Sequence, residues 1–184
     1  LHLSRRHVRR GHDGDHRLER TGSILTYTGD VVVTFRDMRV EADTIVYDES
    51  TQILKAENGV TFVRGEEFLT GRRLEISLDT TAGVLTEATG ALGPNYLIQA
   101  AEAYRLEDGR YELFDAKVTT CDDEGNPGWE FRTPRTTIDP EANVEAVHAV
   151  LRLKGVPVFY MPYLSAPVAS RPRSSGFLTP QTST

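Results

Sequence analysis

The first 93 residues contain no proline; all nine fall at or after Pro94. Strands before that point are free to run without losing a ladder donor. Cysteine is reduced to one residue, Cys121, which cannot form an intramolecular bridge. It reads as a buried thiol, a reactive one, or half of a disulfide whose partner lies elsewhere. No run of about 18 apolar residues exists, so no transmembrane helix is encoded. Only one histidine, His148, lies outside the first twenty residues. No Ser-His-Asp, Cys-His or His-x-x-x-His arrangement can be assembled, which leaves little for nucleophilic catalysis. No cofactor is expected.

The net charge of −6 conceals an asymmetry. Residues 1–20 carry six arginines against three acids, whereas residues 21–184 carry 15 basic and 24 acidic residues, a net −9. An acidic body argues against a nucleic-acid-binding surface. The basic segment 1–20 holds His2, His7, His12 and His16. Only His12 and His16 have a spacing suited to a metal pair, and no metal site is expected. The segment reads as a disordered basic arm or an appended sequence. Residue 1 is Leu and no signal peptide is visible, so the sequence reads as a piece of something longer.

What is present is alternation. In Thr26–Arg36, Val31, Val33 and Phe35 share one face and Val32 and Thr34 the other, in a segment rich in β-branched and aromatic residues. In Arg39–Asp48, Val40, Ala42 and Thr44 face away from Glu41 and Asp43. Ile45 and Tyr47 then fall on the acidic face, which predicts a bulge or two-sided burial. A weak repeat follows: GDVVV at 29–33 is answered by NGVTF at 58–62, and YDESTQILKAENG at 47–59 by LDTTAGVLTEATG at 78–90. Offsets of 29 and 31 residues with short strands mean stacked strand layers, most economically an open or rolled antiparallel sheet.

Tyr96–Leu106 and Tyr111–Thr119 read as strands joined by a turn containing Asp108-Gly109. Asp122-Asp123-Glu124 are consecutive and precede Gly125, Asn126 and Pro127, so they read as a solvated turn, not a calcium loop. Trp129 and Phe131 are expected to bury on one strand face. In Val144–Leu153, Val144, Ala146, His148, Val150 and Arg152 share one face, with Val147, Ala149, Leu151 and Leu153 on the other. Pro157, Pro162, Pro167 and Pro172 recur every five residues, so neither a helix nor a central strand persists there.

In sequence order, Thr119-Thr120-Cys121, Gly128-Trp129, Thr137-Ile138-Asp139, Val156–Tyr163 and Arg173–Pro180 together resemble the lipopolysaccharide-assembly outer-membrane family LptD, also called the organic solvent tolerance family. The upstream half resembles that family's periplasmic domain and its smaller relative, the bridge protein LptA. Arg171–Ser175 departs from the usual basic pair before S-G-F-L, and the upstream cysteine of some members is lacking. The resemblance implies an all-β, open, V-shaped β-jelly roll over residues 21–165. A proline-rich connector would follow over 166–184, leading to an outer-membrane β-barrel not contained in this sequence.

Further expectations follow from that resemblance. The cargo would be lipopolysaccharide, with no bond made or broken. A groove for its acyl chains would be lined by Val31, Val33, Phe35, Val40, Val60, Phe62, Leu74, Ile76, Leu78 and Ile98. Cys121 would pair with a cysteine near the barrel's end. Val156–Tyr163 would finish the jelly roll and pack its aromatics on it, and Pro157, Phe159, Tyr160, Pro162, Tyr163, Arg173, Gly176, Phe177 and Pro180 would lead into the barrel. Residues after about 170 would be poorly packed. Partners would be an LptA-type bridge protein pairing at a sheet edge, around Ile24–Thr28, and the barrel with its lipoprotein plug. The location would be the periplasmic side of the outer membrane. The alternatives are a free-standing periplasmic bridge protein, which has no need of the Gly155–Pro180 stretch, and a glycan-acting β-fold enzyme using Asp122, Asp123 or Glu124.

Overall fold

A computed structural model describes residues 2–5, 17–92, 96–121, 127–140 and 142–167. Every regular element among them is a strand. These are β1 (His2–Arg5), β2 (Arg17–Thr21), β3 (Ile24–Phe35), β4 (Met38–Asp48), β5 (Ile53–Arg64), β6 (Glu67–Ser77), β7 (Gly83–Leu92), β8 (Tyr96–Arg105), β9 (Tyr111–Thr119), β10 (Trp129–Ile138), β11 (Asn143–Leu153) and β12 (Val156–Pro167). From β3 to β12 each strand pairs antiparallel with the next. The two ends do not pair with each other, so this is one unclosed sheet, as an open jelly roll requires.

Two expectations about the N-terminal edge are overturned. Residues 2–5 and 17–21 are strands, not parts of a disordered arm, and both pair with β3. Ile24–Thr28 is therefore no free edge: it lies between β2 and β4. The cause is the hairpin Arg17–Thr28, in which Gly22 takes a left-handed φ of 62° at the turn.

One crease crosses the sheet. The register slips between Thr28 and Val31, between Glu41 and Thr44, and between Glu57 and Val60. The slip after Glu41 falls where a bulge is expected, but the extra residue lies on β5, between Glu57 and Thr61, and not on β4. Positive φ recurs in every second strand, at Asp30, Asn58, Glu87, Asp115 and His148. Where a strand crosses this line without an extra residue, its burial phase shifts by one. On β4 the buried positions run Met38, Val40, Ala42, then Ile45; on β9, Tyr111, Leu113, then Ala116 and Val118; on β11, Val144, Ala146, then Ala149. The shift keeps apolar side chains on one face while the sheet bends. It also corrects the simple alternation expected for β11, where Ala149 takes the inner position and Val150 and Arg152 do not.

Prolines fit this line. Pro134 lies opposite Asp115, and Pro162 opposite His148, where the neighbouring ladder pairs lapse. A missing N–H costs little at such a site. Beside Pro134 the buried Thr133 hydroxyl donates to the Val147 carbonyl at 2.7 Å and accepts the Arg135 N–H at 3.2 Å. A side chain thus satisfies backbone groups where the ladder is interrupted.

A left-handed backbone is tolerated by Asp and Asn and resisted by β-branched residues. Asp115→Val should therefore lower stability by about 1–2 kcal/mol in urea denaturation, although the side chain is exposed. Asp115→Asn should be close to neutral. In the β4–β5 turn, Asp48 accepts the Ser50 N–H at 2.9 Å and the Ser50 hydroxyl at 2.7 Å. Hydrogen bonds from Ser50 hold its carboxyl down at about 2. Because the folded value is depressed, the contribution is present above the unfolded value and lost as pH falls from about 4 through 2. NMR titration should find the Asp48 inflection near 2, and Ser50→Ala should move it upward.

Candidate functional site

The inner face of the creased sheet is one apolar cluster. Val31, Val33, Val40, Val60, Phe62, Leu74, Ile76, Leu78 and Ile98 all belong to it, and Phe35 packs against it half-buried. All ten residues expected to line a groove therefore lie on a single face. Sequence reading missed further members of the cluster, among them Ile45, Leu54, Leu85, Tyr111 and Leu113. Ile45 sits beyond the crease on β4, where the inner phase has shifted by one. The signal was available in the recurrence of Gly29-Asp30 and Asn58-Gly59 at an offset of 29.

The face is closed on itself. Ile45, Leu54 and Leu113 have no exposed surface. A cavity of about 20 Å³ lies between Phe62, Leu74, Ile76, Leu85 and Tyr111, with Arg105 in its wall. That is room for a water molecule, not for an acyl chain. Side chains of this kind line a groove only when the two halves of the folded sheet part.

A polar cluster joins those halves at one end. Tyr111, at the start of β9, donates its hydroxyl to Glu67 Oε2 of β6 at 2.6 Å. These strands are not neighbours in the sheet. Burial pushes the Tyr111 hydroxyl up, and the Glu67 carboxylate adds to the shift, so the phenol remains a donor. Arg105 Nη1 donates to Thr81 O at 2.9 Å and to Thr81 Oγ1 at 2.6 Å. Arg64 Nε donates to Asp37 Oδ2 at 2.8 Å, which lowers the Asp37 carboxyl. Buried Arg64 Nη1 and Arg105 Nε have no protein partner. No sequence pattern relates Tyr111 to a carboxylate 44 residues away, so this latch was not legible.

The middle and C-terminal candidates separate. Cys121 is half-buried and unpaired. Its N–H donates to Thr119 Oγ1 at 3.1 Å, and Thr119 Oγ1 donates to Trp129 O at 2.7 Å, fixing the chain where β9 ends. Trp129 and Phe131 share a face and meet edge-on, with centroids 5.5 Å apart, but both remain half-exposed. The buried residue between them is Glu130, paired with Arg132 at 2.7 Å and Arg152 at 3.4 Å. The expectation that the two aromatics bury is thus corrected: the ion pairs turn Glu130 inward.

The aromatics of β12 stay outside the core as well, although Tyr160 stacks on His148 of β11 with centroids 6.1 Å apart. Phe159, Tyr160 and Tyr163 are 60%, 52% and 58% exposed. Pro157 and Pro162 are exposed on the same strand, which is an edge strand, as its prolines predict. Beyond the described residues lie Arg173, Gly176, Phe177 and Pro180, the expected loose packing after residue 170, and the acids Asp122, Asp123 and Glu124. Among the described residues no group of three His, Cys, Asp or Glu side chains is placed to hold a metal. Nor is any helix long and apolar enough to cross a membrane.

An unclosed all-β sheet with one continuous apolar inner face defines the jelly-roll class. No family model matches the chain. It is 30% identical over 176 residues to the LPS-assembly protein LptD of Chromobacterium violaceum, a match covering 85% of this chain and 22% of that protein. It is 36% identical over 168 residues to the protein of the same name from Chromohalobacter salexigens, covering 86% and 19%. With that of Methylococcus capsulatus it shares 32% identity over 166 residues, covering 85% and 15%. The chain belongs to the LptD family of LPS-assembly proteins, and it spans about a fifth of the length of the curated relatives it matches.

Removing the Tyr111 hydroxyl leaves Glu67 without its donor. Tyr111→Phe should cost about 1–3 kcal/mol in urea denaturation. Amide exchange should rise on β6 and β9 more than on β4, since the lost bond joins those two strands.

Proposed function

We propose that this domain is the periplasmic part of an outer-membrane lipopolysaccharide transport and assembly protein. It receives the acyl chains of lipopolysaccharide on its inner face and passes them to a β-barrel in the same assembly. The observation that carries this reading is the unclosed sheet with a single apolar face running through β3–β11, in a chain whose relatives are named LPS-assembly proteins.

The physical need is plain. Each methylene moved out of water contributes about 0.8 kcal/mol, so one chain of about 12 carbons stabilises its bound state by roughly 9 kcal/mol. That exceeds the few kcal/mol expected of a latch such as Tyr111–Glu67. A closed inner face therefore opens when cargo replaces its internal contacts, and an unclosed sheet permits this because no strand ladder has to break. Carriage needs no bond chemistry; the energy for directed movement comes from elsewhere.

The partner expected at the incoming edge is an LptA-type bridge protein, added strand to strand. With Ile24–Thr28 already paired, the outer strand there is β2. Cys121 is the candidate for a disulfide to a cysteine of the barrel. The barrel and its lipoprotein plug are the remaining partners, and the domain works on the periplasmic side of the outer membrane. The free-standing bridge protein is disfavoured by β12, whose proline-interrupted aromatic strand such a protein has no need of.

A photo-crosslinking residue at Phe62 or Ile76 of the 184-residue chain should give adducts with purified lipopolysaccharide. The same residue at the neighbouring positions Thr61 or Glu75 should give few. Equal labelling of both faces, or none, rejects the inner face as the lipid site.

A further inference from the structure

The C-terminal hairpin β11–β12 carries an apolar surface that the core cluster does not cover. Its exposed apolar side chains are Leu153 and Val156 at the tip, then Val158, Phe159, Tyr160 and Tyr163 along β12. Phe159 and Tyr160 are successive, so they project from opposite faces of the strand. No residue of β12 belongs to the core cluster, and β12 pairs only with β11 among the described residues. The strand is thus apolar on both faces, with a core on neither.

Charge changes part-way along β11, just past the exposed Glu145. All 27 acids of the sequence lie at or before Glu145. Residues 1–145 hold 17 lysines and arginines against those 27, a net −10, whereas residues 146–184 hold Arg152, Lys154, Arg171 and Arg173 and no acid. At the hairpin tip Lys154 is exposed, and Arg152 donates to the Gly155 carbonyl. Among the described residues the acid beside them, Glu130, is buried and already paired with Arg132 and Arg152. The turn is tight, with Lys154 and Gly155 both at positive φ, so the cation and the apolar residues beside it are presented together.

We propose that the β11–β12 hairpin is an interfacial anchor that seats this domain on an anionic phospholipid surface. Exposed Tyr, Phe and Val beside Lys and Arg are what a membrane–water interface takes up: amphipathic rings at headgroup level, and cations against lipid phosphates. A protein occupant pairing along the edge is poorly served, because Pro157, Pro162 and Pro167 remove three donors from the outer strand. A bilayer interface asks for no such ladder. The acidic remainder of the domain is repelled by the same surface, which orients the hairpin toward it. On β12, Met161 and Phe159 stand opposite Ala149 and Leu151 and so continue the inner face, whereas Tyr160 and Tyr163 stand opposite Val150 and Val147 on the outer one.

The only tryptophan, Trp129, stands opposite Leu153 across β10–β11 and serves as a built-in probe. The 184-residue chain should float with vesicles of phosphatidylcholine containing phosphatidylglycerol, and at least tenfold less with phosphatidylcholine alone or in 0.5 M salt (about a 4 Å screening length). Brominated lipid should quench Trp129, a reading that needs no variant. Phe159→Ser with Tyr163→Ser should weaken flotation at least tenfold. Lys154→Asp, which the left-handed turn accepts, should weaken it severalfold. Phe68→Ser, removing an exposed apolar side chain from β6, should leave it unchanged. The proposal fails if anionic vesicles do not bind the chain, or if Phe68→Ser weakens binding as much as the hairpin variants. It also fails if the chain forms a concentration-dependent dimer in which hairpin variants abolish association and lipid has no effect.

Discussion

A single sheet with one apolar face has to hide that face from water without closing into a barrel. Everything else in this domain follows from that constraint. A flat sheet of eleven consecutive strands would leave one side wet, and burying a Val, Leu, Ile or Phe side chain contributes about 1.5–3 kcal/mol. The sheet therefore bends. On β3 and β5 the bend takes an extra residue, at Gly29-Asp30 and Asn58-Gly59. On β7, β9 and β11 it takes a left-handed residue with no register slip, Glu87, Asp115 and His148, at a backbone cost that the shared core offsets. Because these positions face one another across the ladders, the bend is a line and not a scatter of defects.

The same line accounts for how the fold was read. Strand existence and the open all-β class were legible, since Val31–Phe35, Val40–Ala42 and Val60–Phe62 alternate cleanly and their turns repeat. The lipid-facing candidates chosen by alternation lie on the inner face because each was taken from a segment on one side of a bulge. Where a prediction ran through the crease, as from Ala146 to Val150, the face was misassigned. Period-two reasoning has no way to register a skipped residue unless the residue is a glycine or proline. Contacts between strands distant in sequence, such as Tyr111 with Glu67, leave no local trace. The exposure of Phe159, Tyr160 and Tyr163 was misread for a different reason: aromatic residues near a core were assumed to join it.

A filled interior and a lipid-carrying interior are not opposed. The inner side chains are mutually satisfied without cargo, so the empty domain is stable enough to wait in water. The same apolar atoms satisfy an acyl chain equally well, because the hydrophobic effect is non-directional. The difference between the two states is then carried by the few directional contacts that bridge the halves, the Tyr111–Glu67 bond above all. Under the proposed function, such a division would let a modest polar latch set the resting state while the cargo's own burial drives opening.

The distribution of charge and apolar surface gives the domain a direction. The acids all lie at or before Glu145 on β11, the tip of the last hairpin carries Lys154 beside unburied apolar residues, and the two are joined by one continuous ladder. A sheet that continues from β3 to β12 is stiff along its hydrogen-bonded axis, so fixing β12 at a surface fixes the orientation of the inner face as well. An anchor on a flexible tail would hold the domain near a membrane without aiming it. The proposed anchor, built into the terminal strand of the same sheet, would do both, and the prolines that keep that strand from pairing further leave its side chains free for the interface.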